Sequence, residues 1–143
     1  MATEWVDRCL IKNPYYVAVC LSERDFRKSM KKMGITDIPQ WINEGADATV
    51  HTFENQKVGT HQSRLCAIVC LTNFEDRTPE EVIGLIVHEA VHIWQEAKIS
   101  LGEKYPSSEF MAYSIQNITM NLIEGYNKAK VKYDERKAKV KIY

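Results

Sequence analysis

Hydrophobic and polar positions along the chain fall into short runs with either a two-residue or a helical repeat. The strands predicted by this pattern are residues 15–21, 46–54 and 62–71, and the predicted helices are 3–11, 22–34, 78–102 and 108 to about 130. Turn residues join the second and third strands, which indicates an antiparallel hairpin. The order of elements predicts an α+β fold in which a small antiparallel sheet packs on the later helices.

The segment 78–102 carries helix signals at both ends. Thr78 is suited to the N-cap, Pro79 to the first helical position, and Glu81 completes a T-x-x-E capping box. Gly102 is a suitable C-terminal stop. The sequence therefore predicts a single long helix with well-marked ends.

This predicted helix is apolar almost all round, with only a narrow polar strip. A helix of that composition belongs inside a domain, so we expect it to be buried. Gly84, one turn before His88, costs helix stability and leaves space beside the polar strip.

The polar strip contains the motif H-E-x-x-H as His88, Glu89 and His92. Four residues turn a helix about 40° beyond a full circle, so the two imidazoles point the same way. That arrangement suits two nitrogen ligands on one Zn²⁺. Glu89 lies about 60° from His92 around the helix, within reach of a water at the metal but not placed as a third ligand.

A catalytic zinc site needs a third protein ligand and an open position. Glu109 is the best candidate, because a short loop and an antiparallel helix would return it to the histidines. Tyr113 follows one turn later on the same face and could hydrogen-bond a ligand or the substrate. His51 and His61 are the other histidines; they are more often structural residues, and their roles stay open.

Charge is balanced over the whole chain but not along it. Lys+Arg and Asp+Glu both number 19, so no global basic field indicates a nucleic-acid partner. Residues 127–143 contain seven Lys/Arg against two Asp/Glu and form a basic C-terminal tail. The tail could continue the last helix or fold as a charged hairpin, and a solvated, solubilising end is its simplest interpretation. The 143 residues fit a single domain, 1–143.

The four cysteines and the first residues of the chain bear on the cellular location of the protein. No apolar run approaches the length of a membrane span, and the first residues do not resemble a signal peptide. We therefore expect a cytoplasmic protein, without a membrane partner, whose cysteines are reduced. Cys66 and Cys70 would share one face of a strand, as ordinary buried thiols rather than a second zinc site.

The segments HEAVH and SSEFMAY together resemble the gluzincin branch of zinc metallopeptidases, whose third ligand is a glutamate on the following helix. ADATVHTF, VHEAVHIWQ and SSEFMAYSIQ resemble, more narrowly, small zincin-like proteins of phages and prophages. The resemblance covers roughly residues 46–126. It implies a minimal zincin-like domain with one Zn²⁺ on His88, His92 and Glu109 and with Glu89 as general base. Thermolysin-like members have an aspartate where this chain has Tyr113, so the histidines must be oriented differently.

The function expected from these residues is zinc-dependent hydrolysis of peptide bonds in a peptide or protein substrate. The alternative is a non-catalytic zincin-fold binding or regulatory protein of phage origin with a structural zinc. Retention of Glu89 favours the enzyme, because a structural site has no use for a base. Neither substrate specificity nor oligomeric state follows from the sequence.

Overall fold

Three strands and three α-helices make up the described chain, which in this computed structural model comprises residues 15–58 and 61–140. The elements are β1 (Tyr15–Cys20), α1 (Glu23–Lys32), β2 (Ala48–Val58), β3 (His61–Leu71), a 3-10 turn (Phe74–Asp76), α2 (Pro79–Ser100) and α3 (Ser108–Val140). The helix predicted for residues 3–11 lies outside the described residues, as does Cys9. The α+β class is confirmed.

The sheet is mixed, with strand order β1-β3-β2. β2 and β3 form the predicted antiparallel hairpin, with Val50 opposite Val69. β1, however, runs parallel to β3, with Val17 opposite Ala67, so the prediction of a wholly antiparallel sheet was wrong. β2 lies between β1 and β3 in the sequence and runs antiparallel to β3. β1 and β3 point the same way.

β3 is the central strand, and its alternate residues enter two cores. Ala67 and Val69 face a core shared with α2 and α3, and Cys66 and Cys70 face a core shared with α1. Burial raises the pKa of the Cys66 thiol, which keeps it protonated and unreactive. The expectation of ordinary buried cysteines is confirmed for these two residues.

Side-chain caps fix the starts of the two long helices. The Glu81 backbone N–H donates to Thr78 Oγ1 at 3.2 Å, and the Phe110 N–H donates to Ser107 Oγ at 3.1 Å. Gly102 has φ +74°, a left-handed conformation that suits glycine just after a helix. These local signals explain why the ends of α2 were predicted to within two residues.

The burial of α2 differs from the prediction, because only one face of the helix is covered. Ile86, Ala90 and Ile93 are fully buried, whereas Val87 is 40% and Ile99 71% exposed. A three-stranded sheet and one neighbouring helix are too small to enclose a helix on every side. The expectation of a buried helix was therefore wrong for half its circumference. No helix within the described ranges combines the length and apolar character that crossing a bilayer requires.

The basic tail continues α3 as helix as far as Val140 and packs against the domain. The Tyr133 ring meets the Phe74 ring edge-on at a centroid distance of 5.0 Å. Arg136 donates to both carboxylate oxygens of Asp25, at 2.8 and 2.7 Å. Of the two structures left open for the tail, the helix is the one found, and these contacts show that it is more than a solvated end.

The bridge between Asp25 and Arg136 predicts a pH dependence of stability. Hydrogen bonds from Arg136 hold the pKa of the Asp25 carboxyl below its usual range. The resulting stabilisation is complete above about pH 4, where an unfolded aspartate is ionised, and is lost as the pH falls through the lowered folded pKa. Because the side chains are 39% and 32% exposed, solvent screening limits the contribution to about 1 kcal/mol.

We expect Arg136→Met to lower the free energy of unfolding by about 1 kcal/mol at neutral pH and by much less near pH 2. Urea unfolding of both proteins at the two pH values measures this. Arg27→Met is the matched control, because Arg27 forms an exposed pair with Glu23 within α1. An equal loss at both pH values would contradict the assignment to ionised Asp25.

Candidate metal centre

The H-E-x-x-H motif lies in the middle of α2 and brings its two imidazoles into contact. His88 Nε2 and His92 Nε2 are 3.2 Å apart, and the rings meet at 70° with centroids 4.9 Å apart. Both side chains are exposed on the uncovered side of the helix. The predicted convergence of these two nitrogens is therefore seen in the structure.

The separation of the two nitrogens fits a tetrahedral zinc. Ligand nitrogens about 2.0–2.1 Å from Zn²⁺ at a tetrahedral angle lie about 3.3–3.4 Å from each other. The 3.2 Å between His88 Nε2 and His92 Nε2 is close to that value. The backbone of α2 thus places two imidazole nitrogens at a spacing that would suit zinc.

Gln95 holds the orientation of the His92 ring and was missed in the sequence analysis. Gln95 Oε1 lies 3.2 Å from His92 Nδ1. When Nδ1 carries the proton and donates to this oxygen, Nε2 keeps its lone pair for a metal. The i, i+3 spacing of His92 and Gln95 on one helix was the available signal for this contact.

Glu89 lies on the other flank of the histidines, turned toward the domain, and is only 5% exposed. Burial raises the pKa of its carboxyl above the usual range, and the positive charges of protonated His88 and His92 would act in the opposite direction. A buried carboxylate beside two imidazoles is a suitable acceptor for a proton from water.

Among the described residues, the structure brings no third metal-ligating side chain together with the two histidines. Glu109 is exposed in the first turn of α3, and no three His, Cys, Asp or Glu side chains in the described ranges form a group that could hold a metal. The next residue, Phe110, packs edge-on against Trp94 at 5.5 Å. Trp94 lies about 120–160° around α2 from the two histidines, so this contact attaches α3 to a different side of α2. Glu109 as a metal ligand stays a prediction.

His51, another candidate residue, does not lie beside the histidine pair. His51 points to the opposite face of the sheet, where its ring stacks on Phe26 at 4.7 Å and its Nε2 lies 2.9 Å from the Trp41 carbonyl oxygen. The side chain of His61 lies outside the described residues. Tyr113 is 62% exposed. His51 is thus a structural residue of the α1 core, as the commoner interpretation of such histidines predicted.

Comparison with known proteins adds no relative to this picture: no family model, curated protein or solved structure matches the chain.

Glu109 provides a direct test of the ligand set. If it is the third ligand, Glu109→Ala should weaken zinc binding by roughly tenfold or more and lower the melting temperature of the zinc-loaded protein. Glu109→Gln should keep more of the geometry but lose the negative charge. Competition with a chromophoric chelator measures the affinity, and Glu103→Ala in the preceding loop is the control. Unchanged zinc affinity in Glu109→Ala would place the third ligand elsewhere.

The substitution Gly84→Ala is expected to affect stability and activity in opposite directions. A Cβ at this position would meet nothing within 4 Å, so Gly84→Ala should stabilise the zinc-free protein by about 1 kcal/mol through helix propensity. If the open space beside His88 accommodates substrate, the same change should also lower kcat/KM. Urea unfolding measures the first effect and peptide cleavage the second. A destabilised Gly84→Ala would contradict the open environment of this position.

Proposed function

We propose that the protein is a zinc-dependent hydrolase that cleaves peptide bonds, built as a minimal zincin-like domain. One observation carries this proposal: two imidazole nitrogens stand 3.2 Å apart on α2, with the buried Glu89 between them in sequence. Two imidazole nitrogens and an adjacent base are three of the groups that metal-assisted hydrolysis needs, and Glu109 is the proposed third ligand. Satisfied structural histidines would not require a buried carboxylate beside them.

Each residue has a defined task in the proposed reaction. His88 and His92 would hold the metal through Nε2, and the contact of Gln95 with Nδ1 would keep the His92 ring oriented. When bound, zinc supplies Lewis acidity to the scissile carbonyl and lowers the pKa of a water. Glu89 accepts a proton from the attacking water and donates it to the leaving amine. Glu109 would complete the ligand set if the first turn of α3 moves toward the histidines.

The position of β2 at the edge of the described sheet favours a polypeptide as the substrate. β2 is an edge strand in the described sheet, and α2 packs against both β2 and β3. An extended peptide can pair with an exposed strand edge through main-chain hydrogen bonds. We propose that the substrate lies along β2, with its scissile bond at the histidine pair.

A binding protein with a structural zinc is the second candidate. The exposed apolar side chains on and beside α2 favour it, because Ile99 is 71% and Tyr105 88% exposed. Such side chains commonly mark contacts with another protein. In that case zinc would bind, but no peptide bond would be cleaved.

Proteolysis of an unfolded-protein mixture separates the two candidates. The purified chain is incubated with zinc and the mixture, and new peptide N-termini are identified by mass spectrometry. The enzyme hypothesis predicts zinc-dependent cleavage that stops when a chelator is added. Zinc binding at one ion per chain without any new N-termini would favour the binding protein.

A further inference from the structure

A groove of about 830 Å³ runs along β1, between α1 and the second half of α3. Its floor is formed by residues 16–20 of β1, and its walls are one face of each helix. This groove lies beside β1, the edge strand opposite β2, and its described lining residues include none from α2 or from the histidine motif. It is therefore a surface separate from the candidate metal centre.

Basic side chains dominate the walls of the groove. Of the described residues that line it, six are Lys or Arg and three are Asp or Glu. Asp25 is paired with Arg136, and Glu124 with Lys128. The remaining lysines have no ion pair among the described residues: Lys28, Lys32, Lys132 and Lys139. Four cations with one remaining acid, Glu135, leave the groove with a local excess of positive charge.

The floor of the groove offers main-chain hydrogen bonds. β1 is an edge strand of the described sheet, paired with β3 on one side only. In a strand, about half of the N–H and C=O groups point away from its one neighbour. The groove therefore combines the outer edge of β1, which pairs with no second described strand, with flanking lysines.

Two contacts fix the width of the groove. Gly125 of α3 lies so close to β1 that a Cβ there would meet Val19 Cγ2 at 3.4 Å. At the end near Cys20, the bidentate bridge from Arg136 to Asp25 ties α3 to the first turn of α1. The walls are thus held in place before any ligand arrives, which reduces the entropy lost on binding.

We propose that this groove binds an acidic segment of a partner protein, in extended conformation, as an added strand beside β1. Lys28 and Lys32 are one helical turn apart, roughly 6 Å along α1. Alternate residues of a strand are roughly 6.6–6.8 Å apart, so acids at every second position match that spacing. Among the described residues that line the groove, Tyr16 alone is aromatic, which disfavours a single-stranded nucleic acid, since that ligand needs stacking platforms. The proposal does not depend on zinc or on hydrolysis.

The test uses a fluorescein-labelled decapeptide of alternating Glu and Val, with binding followed by fluorescence anisotropy. We expect saturable binding that weakens as salt is raised. The double substitution Lys28→Glu with Lys132→Glu should weaken binding by about tenfold or more, because it reverses one charge on each wall. Lys130→Glu is the matched control: it lies on α3 but lines a different pocket, beside Phe74, and should change binding less than about twofold.

Main-chain pairing is tested with the same peptide N-methylated at alternate residues, which removes hydrogen-bond donors but keeps the charges. We expect this peptide to bind at least about fivefold more weakly. Equal binding of the methylated peptide would overturn the added-strand geometry. Tighter binding of labelled oligo-dT, lost in the Lys28/Lys132 variant, would overturn the peptide assignment in favour of nucleic acid. No saturable binding of the acidic peptide at low salt would overturn the proposal as a whole.

Discussion

Glu89→Gln should abolish peptide hydrolysis while leaving zinc binding and the fold intact. Glutamine has the shape of glutamate, so it fits the 5%-exposed position without repacking. It cannot accept a proton from water, and loss of a positioned general base typically lowers the rate about 10²–10⁴-fold. The amide is neutral, so it is no costlier to bury than a carboxylate, and stability should not fall through lost solvation.

The comparison needs three measurements on one protein preparation: zinc content, thermal unfolding and kcat/KM on a peptide that the parent cleaves. Glu96→Gln is the matched control, because it removes an exposed carboxylate from the same helix. Its turnover should stay near that of the parent. Parental turnover in Glu89→Gln would show that another group is the base, and zinc loss in that variant would indicate a metal-ligand role.

Zinc binding should require both histidines of α2. We expect about one Zn²⁺ per chain in the parent, and a loss of roughly hundredfold or more in affinity on His88→Ala or His92→Ala. Each substitution removes one of two nitrogens placed at ligand spacing, and the other cannot hold the ion alone. Because zinc binds the folded state, saturating zinc should raise the melting temperature of the parent but not of either variant.

Elemental analysis and chelator competition measure these quantities. His51→Gln provides the control, because His51 is a histidine of the same chain whose ring packs on Phe26 across the sheet. It should lower stability through lost packing without changing the number of zinc ions bound. A parent protein free of metal after zinc is supplied would contradict both the site and the proposed reaction.

The features that the sequence predicted correctly are those determined by neighbouring residues. The N-cap at Thr78, the glycine stop at Gly102 and the β2–β3 hairpin each depend on signals within a few positions. The convergence of His88 and His92 is likewise a property of a single helix. Periodicity and capping describe such features directly, because no distant part of the chain has to be placed.

Features set by distant residues were missed or left open. The parallel pairing of Tyr16 with Cys66 joins strands 50 residues apart, and the pattern of each strand alone does not reveal its direction relative to the other. The exposure of Ile99 depends on how much neighbouring structure exists to cover it. The position of Glu109, the predicted third ligand, was also left open, because it depends on how α3 lies against α2, and the hydrophobic pattern of α3 does not specify that.

The bridge between Asp25 and Arg136 also bears on how the chain is made and folded. Its partners are 111 residues apart, so Asp25 leaves the ribosome long before Arg136 is synthesised. Until then, Asp25 in the first turn of α1 has no bridge to α3, and the groove beside β1 lacks the wall that α3 forms. β1 also needs β3, its partner in the sheet, which itself is made only after β2. β1 therefore cannot form its pairing with β3, and α1 cannot form its bridge to α3, until these later segments have emerged from the ribosome.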